Sequence, residues 1–184
     1  MAPIPTAGFA EPAKNVREMG ISSGMNIADF GAGSGAYTIE IGKILGERGY
    51  VYAIDIQRDL LRRLKNESDR LGLKAVEIIW ADLEQPGSSK LADRSVDFVL
   101  MSNVLFQLPE KRTALREAMR ILKPGKTLAI IDWTESFGGM GPIEQHVVTK
   151  DASLALAKES GFTLQREFPA GAHHYGLLFS SPTA

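Results

Sequence analysis

Three glycines at alternating positions follow a short apolar run near the start of the chain. The run Ile27-Ala28-Asp29-Phe30 leads into Gly31, Gly33 and Gly35. Glycine adopts backbone angles that a Cβ atom forbids, and it allows a ligand to approach the main chain closely. A buried parallel strand that ends in a tight turn, with a helix starting near Ser34, has this pattern. We therefore predict that the turn binds a ligand.

Two kinds of ligand are consistent with the spacing of the glycines. Read as G-x-G-x-x-A, from Gly31 to Ala36, the stretch matches the dinucleotide fingerprint, in which a pyrophosphate lies at a helix N-terminus. Read from Asp29 as acid-x-G-x-G-x-G, it resembles the first motif of the class I S-adenosylmethionine-dependent methyltransferases. The acid favours the second interpretation, because a carboxylate repels a pyrophosphate but attracts an ammonium and a sulfonium. A glycine-rich turn without a ligand is the third alternative.

Candidate general bases lie further along the chain. They are Asp132 at the end of the fifth predicted strand, His146 in a glycine-rich stretch, and His173 with its neighbour His174 at a predicted hairpin. Such a base would assist reaction of a phenol or an amine. An exposed loop position also explains His146, and a turn also explains the histidine pair. Two adjacent histidines without a third ligand at a suitable spacing are a weak metal signal, so we predict no metal site.

Composition limits the classes of function. The chain has 184 residues, of which 44% are hydrophobic and 23% charged, as in an ordinary globular domain. It has 21 basic and 22 acidic side chains, so no broad basic surface for nucleic acid is expected. The absence of cysteine excludes disulfides, thiolate metal sites and a cysteine nucleophile. We see neither a signal peptide nor an apolar run that could span a membrane, and we expect a cytoplasmic protein.

Strands and helices alternate along most of the chain. Apolar runs rich in β-branched residues predict strands at 27–30, 50–54, 76–80, 96–101 and 127–133. Helical spacing between these runs predicts four helices. The first ends at Gly46, the second ends at Gly72, the third starts at Pro109, and the fourth is capped by Asp151. Alternating residues near the C-terminus predict an antiparallel hairpin with its turn at Pro169-Ala170-Gly171. The expected fold is α/β, a doubly wound and mostly parallel sheet that ends in this hairpin.

The chain is long enough for one domain, which we place at residues 25–184. The N-terminal segment 1–24 is expected to be partly mobile and could act as a lid. The glycine-rich stretch 134–150 is a second candidate lid. Because no long insertion is present, the acceptor pocket would be shallow, and a second copy or a partner subunit could complete it.

Four motifs together resemble the class I S-adenosylmethionine-dependent methyltransferases that act on small molecules. They are the acid-plus-glycine turn, Asp55 at the end of strand two, Ala81-Asp82-Leu83 at the end of strand three, and Leu122-Lys123-Pro124-Gly125-Lys126 before strand five. The resemblance implies the Rossmann-like, seven-stranded fold of that class, whose seventh strand is antiparallel.

The resemblance also implies which residues bind S-adenosyl-L-methionine, with S-adenosyl-L-homocysteine as the product. Asp55 would accept both ribose hydroxyls, and Asp82 with the backbone amide of Leu83 would contact the adenine. Asn103 would lie beside the methionine end, together with the first glycines of the turn. Capping is the alternative role for Asp55 and Asp82. The cofactor-binding candidates are Asp29, Gly31, Ala32, Gly33, Gly35, Asp55, Ile56, Asp82, Leu83 and Asn103.

The implied reaction is in-line displacement of a methyl group from the sulfonium by a small-molecule acceptor. Because the leaving group is already activated by its charge, alignment and exclusion of water carry the catalysis, and a side-chain base is optional. The segment Val104-Leu105-Phe106-Gln107-Leu108 lacks the histidine that many similar enzymes carry there, and the absence of cysteine argues against arsenic methylation. Two alternatives stay open: a catalytically silent regulatory or scaffold subunit, and a nicotinamide-dependent oxidoreductase.

Overall fold

The computed structural model describes residues 10–183 and contains one seven-stranded sheet flanked by helices. The strands are β1 Asn26–Phe30, β2 Tyr50–Asp55, β3 Val76–Trp80, β4 Val96–Ser102, β5 Leu122–Trp133, β6 Thr163–Gly171 and β7 His174–Ser180. The helices are α1 Pro12–Glu18, α2 Ala36–Leu45, α3 Arg58–Arg70, α4 Lys111–Ile121 and α5 Lys150–Glu159, with 3-10 helices at Leu105–Gln107 and Glu144–His146. The expected partial mobility of segment 1–24 lies in part outside the described residues, which begin at residue 10.

The sheet has the strand order β3-β2-β1-β4-β5-β7-β6. β1 to β5 pair in parallel, whereas β7 pairs antiparallel with both β5 and β6. The predicted doubly wound sheet with a C-terminal antiparallel hairpin is therefore confirmed. β1 lies between β2 and β4, so the chain changes its winding direction there. Ligands bind in the crevice that such a switch opens at the carboxyl ends of the strands.

Both faces of the central strands are buried. Successive residues of a strand point to opposite faces, so Phe98 and Leu100 pack with α1 and α2, whereas Val99 and Met101 pack with α4 and α5. This double burial explains why the parallel strands read as continuous apolar runs. Within residues 10–183, no helix combines the length and the apolar character that crossing a membrane requires.

Two helix starts differ from the prediction. The predicted start of α4 at Pro109 is two residues early, because Glu110 is the N-cap residue. The N-cap of α5 is Thr149, whose side-chain oxygen accepts a hydrogen bond from the amide of Ala152 at 3.2 Å. The prediction that Asp151 is the cap is therefore wrong. Asp151 lies in the first turn instead, where a carboxylate is favourable near the positive end of the helix dipole.

The hairpin turn and the start of β5 also differ from the prediction. The turn lies at Ala172 and His173, since Pro169-Ala170-Gly171 continues β6 with a shift of register. A proline is tolerated there because β6 is an edge strand, where a missing amide breaks no central ladder. β5 begins at Leu122, five residues before its predicted start, and pairs irregularly with β4 over those residues.

The motif Leu122 to Lys126 is tied to the amino ends of the strands, at the edge opposite the crevice. Lys123 Nζ donates to Oδ1 of Asp97 at 2.9 Å, and the amide of Asn26 donates to Oδ2 at 3.1 Å. Burial raises the pKa of Asp97, but these bonds outweigh it and hold the pKa below its ordinary value. The contacts of the motif are therefore structural.

Candidate cofactor site

The turn between β1 and α2 contains three glycines with positive φ, at 75° for Gly31, 55° for Gly33 and 87° for Gly35. A Cβ atom on Gly31 would lie 2.5 Å from Val104, and one on Gly35 would overlap the side chain of Leu64. A Cβ atom on Gly33 would meet only the carbonyl oxygen of Gly31, at 3.9 Å. Two of the glycines therefore allow close packing, whereas Gly33 borders open space.

Three backbone amides at the start of this turn already have acceptors within the protein. The amides of Gly31 and Ala32 donate to the carbonyl oxygen of Ile54, at 2.8 and 3.1 Å. The amide of Gly33 donates to Oδ2 of Asp55 at 2.8 Å. These three N–H groups are therefore not free to bind a phosphate, and one of them already binds a carboxylate.

A cavity of about 410 Å³ lies at the carboxyl ends of β1, β2 and β3. Six of the ten predicted cofactor residues line it, namely Gly31, Gly33, Asp55, Ile56, Asp82 and Leu83. Apolar side chains complete the lining, among them Leu60, Val104 and Leu108. Apolar walls with a few polar groups suit a ligand such as a nucleoside, which has a flat base and a hydroxyl-bearing ring.

Hydrogen bonds to the backbone hold the two carboxylates of this cavity in place. Oδ1 of Asp55 accepts from the amide of Gln57 at 2.8 Å, in addition to the bond from Gly33 to Oδ2. Oδ1 of Asp82 accepts from the amide of Glu84 at 3.0 Å. Neither bond is a helix cap, since Gln57 itself is the N-cap residue of α3 and no helix lies between Asp82 and β4. A carboxylate oxygen has two lone pairs, so these bonds leave room for a further donor.

Asp29 lies at the same edge of the sheet but is enclosed. Asp29 is 2% exposed, and the hydroxyl of Thr38 donates to its Oδ2 atom at 2.5 Å. Burial raises the pKa of Asp29 to about 6, the bond from Thr38 opposes this shift, and the charge of Asp55 adds to it. Asp29 and Asp55 together place negative potential beside the glycine turn.

Sequence reasoning missed a polar cluster formed by Asn15, Tyr37 and Ser102, which we call the Asn15 cluster. Nδ2 of Asn15 donates to the Tyr37 hydroxyl and to the carbonyl oxygen of Ala170, both at 2.8 Å. Ser102 faces the Tyr37 hydroxyl from the end of β4. The available signal was a polar residue, Asn15, directly before Val16 on the buried face of α1.

The Asn15 cluster contains buried oxygen atoms without partners. Among the described residues, Oδ1 of Asn15 and Oδ1 of the adjacent Asn103 are buried and have no hydrogen-bond partner. Asn103 also has a positive φ of 55°, which is uncommon for a residue with a side chain. An unpaired buried polar atom costs about 1–3 kcal/mol. A hydrogen bond from a ligand would remove this cost, but neither residue is among those that line the cavity of about 410 Å³.

Asp132, a candidate base, lies at the end of β5 and is enclosed by the protein. The amide of Trp133 donates to its Oδ1 atom at 2.9 Å, and the amides of Leu105 and Phe106 also face the carboxylate. Burial raises the pKa of Asp132 to about 7, and bonds from the amides of Trp133, Phe106 and Leu105 oppose this shift. A carboxyl group with such a pKa can exchange a proton near neutral pH.

The three histidines have different surroundings. His146 is exposed at the end of the second 3-10 helix. His173 lies in the hairpin turn, and its Nδ1 atom is 3.0 Å from Oε1 of Glu135. His174 is buried and packs against Trp133 with the rings tilted by 44° and their centroids 4.3 Å apart, and burial lowers its pKa to about 4. The described part of the chain contains no group of three or more side chains that could hold a metal ion.

Comparisons with known proteins agree with this geometry. The family model described as a methyltransferase domain matches residues 21–170. An S-adenosylmethionine-dependent methyltransferase from Aquifex aeolicus, known as a crystal structure, is 31% identical with a TM-score of 0.84, over 93% of this chain and 89% of that one.

Curated relatives are longer than this chain. An arsenite methyltransferase from Aquipseudomonas alcaligenes is 32% identical over 113 residues, which is 59% of this chain and 33% of that protein. A demethylmenaquinone methyltransferase from Staphylococcus aureus is 29% identical over 121 residues, which is 65% of this chain and 48% of that protein. The matched part thus spans about a third to a half of the length of these relatives.

Proposed function

The chain belongs to the class I S-adenosylmethionine-dependent methyltransferase family, and from this membership we propose that it methylates a small organic acceptor. The family's cofactor is S-adenosylmethionine, which supplies a methyl group on a positively charged sulfur atom. The proposal concerns the acceptor, the residues that bind the cofactor and the way in which the protein promotes transfer.

The main observation behind the proposal is that backbone amides of the glycine turn donate their hydrogen bonds within the protein. Gly31, Ala32 and Gly33 donate their N–H groups inside the protein, and Asp29 and Asp55 add negative potential. A pyrophosphate needs free N–H groups and avoids carboxylates, whereas an ammonium and a sulfonium seek oxygen atoms. This arrangement favours S-adenosylmethionine over a nicotinamide dinucleotide.

We infer a division of the site into two ends. At the adenosine end, Asp55 would accept the ribose hydroxyls, while Asp82 and the Leu83 amide would contact the edge of the adenine, with Ile56 against the base. At the amino-acid end, the carbonyl oxygens of the turn and Asn103 would accept from the ammonium. The residues Asp29, Ala32 and Gly35 would act indirectly, through charge and through the shape of the turn.

Alignment is the proposed source of catalysis. The leaving sulfur is already activated, so the protein gains most by holding the acceptor atom in line and excluding water. If the acceptor is a phenol or an amine, Asp132 is the candidate base whose pKa lies near neutrality. His146 and His173 are weaker candidates, since His146 is exposed and His173 interacts with Glu135.

The names of the relatives narrow the acceptor only in part. One is an arsenite methyltransferase and another a demethylmenaquinone methyltransferase. This chain has no cysteine, so it has no thiolate to hold arsenic. We therefore propose an organic acceptor rather than arsenite.

Ligand-dependent unfolding followed by an acceptor screen tests this proposal. S-adenosylmethionine or S-adenosylhomocysteine at about 100 times its dissociation constant should stabilise the protein by about 2.7 kcal/mol, which raises Tm by about 5–10 °C. NADH should give no shift. Transfer of radiolabelled methyl groups to phenols, amines and quinols is then measured.

The alternatives predict different results. Stabilisation by NADH alone would support an oxidoreductase and contradict the proposal. Binding of the two sulfur ligands without turnover on any acceptor would favour a catalytically silent regulatory or scaffold subunit. Turnover on arsenite would contradict the choice of an organic acceptor.

Tyr37→Phe tests the amino-acid end of the site. This change removes the hydroxyl that joins Asn15 to the carboxyl end of β4. We expect the affinity for S-adenosylhomocysteine to fall about tenfold, the value of one hydrogen bond. The affinity for 5′-methylthioadenosine, which lacks the amino-acid end, should stay the same. Tyr52→Phe is the control, because Tyr52 stacks on Tyr50 in β2 and packs on the opposite face of the sheet from Tyr37.

A further inference from the structure

Helix α4 carries a buried carboxylate that the proposed site does not use. Glu117 is 3% exposed. Its Oε1 atom accepts hydrogen bonds from the amide and the hydroxyl of Ser89, at 3.2 and 2.5 Å, and Oε2 accepts from the amide of Gly87 at 3.2 Å. Glu117 therefore holds the loop between β3 and β4, residues 81–95, from the side of the helix.

Arg120, one turn further along α4, completes this attachment. Its guanidinium donates to both carboxylate oxygens of Glu117, at 2.7 and 3.0 Å, and to the carbonyl oxygen of Leu91 at 2.9 Å. Burial raises the pKa of Glu117, but the bonds from Arg120 and Ser89 outweigh it and hold the pKa below its ordinary value. The carboxylate therefore stays charged and keeps its hydrogen bonds to the loop.

The loop contains strained backbone that needs such support. Lys90 and Arg94 have φ angles of 59° and 51°, although neither is a glycine. Left-handed conformations are unfavourable for residues with a Cβ atom and persist when the surrounding contacts fix them. The amide of Arg94 donates to the carbonyl oxygen of Arg120 at 2.9 Å. The shape of the loop thus depends on its contacts with α4.

The other end of the same loop reaches the cofactor cavity. Asp82, Leu83 and Glu84 line this cavity. Oε1 of Glu84 accepts from the amide of Glu110, the N-cap residue of α4, at 2.7 Å. α4 therefore holds the loop at two places, one beside the cavity and one behind it at Glu117.

We propose that Glu117 and Arg120 are positioning residues for the adenosine end of the cofactor, acting through the 81–95 loop without touching the ligand. The inference rests on the proposed function, since it assumes that Asp82 and Leu83 contact the adenine. It predicts that loss of the pair weakens every ligand that carries adenosine, with or without the amino-acid end. Tyr37→Phe should instead weaken only ligands that have the amino-acid end.

Glu117→Gln in the full chain tests the proposal. Glutamine keeps an acceptor oxygen but loses the charge that pairs with Arg120. Isothermal titration should give dissociation constants for S-adenosylhomocysteine and 5′-methylthioadenosine that are both about tenfold higher than in the wild type. Amide hydrogen exchange of residues 82–91 should become faster in the absence of ligand.

Asp97→Asn is the matched control. Asp97 also pairs with a cation, Lys123, and accepts from a backbone amide, but at the opposite edge of the sheet. Removing its charge should lower stability as Glu117→Gln does, while both dissociation constants stay within about twofold of the wild type, because distant sites act independently.

Four results would overturn these assignments. Unchanged affinities in Glu117→Gln, or an equal loss in Asp97→Asn, would show that the pair has no specific effect on the adenosine end. Failure of the wild type to bind either ligand would overturn the proposed function itself. If Glu117→Gln does not fold, Ser89→Ala removes one donor to Glu117, and it should raise both dissociation constants about threefold. No change in that variant would equally contradict the proposal.

Discussion

Replacing Gly33 with alanine is expected to lower the affinity for S-adenosylhomocysteine more than 100-fold (about 2.7 kcal/mol) while the protein stays folded. Gly33 lines the cofactor cavity, and a Cβ atom there would meet only the carbonyl oxygen of Gly31, at 3.9 Å. The added methyl group would therefore occupy open space that the ligand needs, without a clash in the free protein. Isothermal titration measures the loss of affinity.

The control for this substitution is Gly72→Ala. Gly72 follows α3 and has a φ of 68°, and a Cβ atom added to it would have no neighbour within 4 Å. Both substitutions place a side chain in a left-handed conformation, so both should cost about 1 kcal/mol of stability in urea unfolding. Only Gly33→Ala should lose the ligand. Wild-type affinity in Gly33→Ala would show that the cofactor does not approach the turn at this residue.

The comparison of these glycines shows how far the sequence predicts the site. The pattern of Gly31, Gly33 and Gly35 predicted a turn with a ligand, and all three have positive φ. The pattern could not separate the roles of the three glycines. Gly31 and Gly35 differ from Gly33 because the fold places the side chains of Val104 and Leu64 against them. Local sequence determines the turn, and long-range packing determines which glycine borders open space.

The same distinction between local sequence and long-range packing explains which predictions of secondary structure were correct and which were wrong. The strands β1 to β4 were placed to within about one residue, because burial of the central strands on both faces leaves a strong local signal. The hairpin turn was misplaced because Pro169-Ala170-Gly171 has the composition of a turn. Ala170 is nevertheless buried in the core on the α1 side, and this packing outweighs the local preference.

The residues that sequence reasoning missed have partners far away along the chain. Asn15 bonds to Tyr37 and to Ala170, which are 22 and 155 residues away. Glu117 bonds to Ser89, 28 residues earlier. Each is a polar residue on a helix face that local periodicity assigns to the core. A polar residue on an otherwise apolar helix face can be recognised in the sequence. Its hydrogen-bond partners cannot, because they depend on which loop or strand the fold packs against that face.

Asp55→Ala is expected to have the largest effect on the adenosine end. A hydrogen bond to a charged group contributes about 1.5–3 kcal/mol, so loss of two bonds from ribose hydroxyls should lower the affinity for S-adenosylhomocysteine more than 100-fold. The substitution also removes the acceptors for the amides of Gly33 and Gln57, which shape the turn. Asp55→Asn, which keeps one acceptor oxygen, should lose less affinity than Asp55→Ala.

A double-mutant cycle separates the ribose contact from the effect on the turn. 5′-methylthioadenosine and its 2′,3′-dideoxy analogue are titrated against the wild type and Asp55→Asn. If Asp55 accepts the ribose hydroxyls, the substitution should weaken 5′-methylthioadenosine at least tenfold more than the dideoxy analogue, which has no hydroxyls to lose. If both ligands weaken equally, Asp55 acts only by holding the amides of Gly33 and Gln57, and the ribose must be bound by other residues of the cavity.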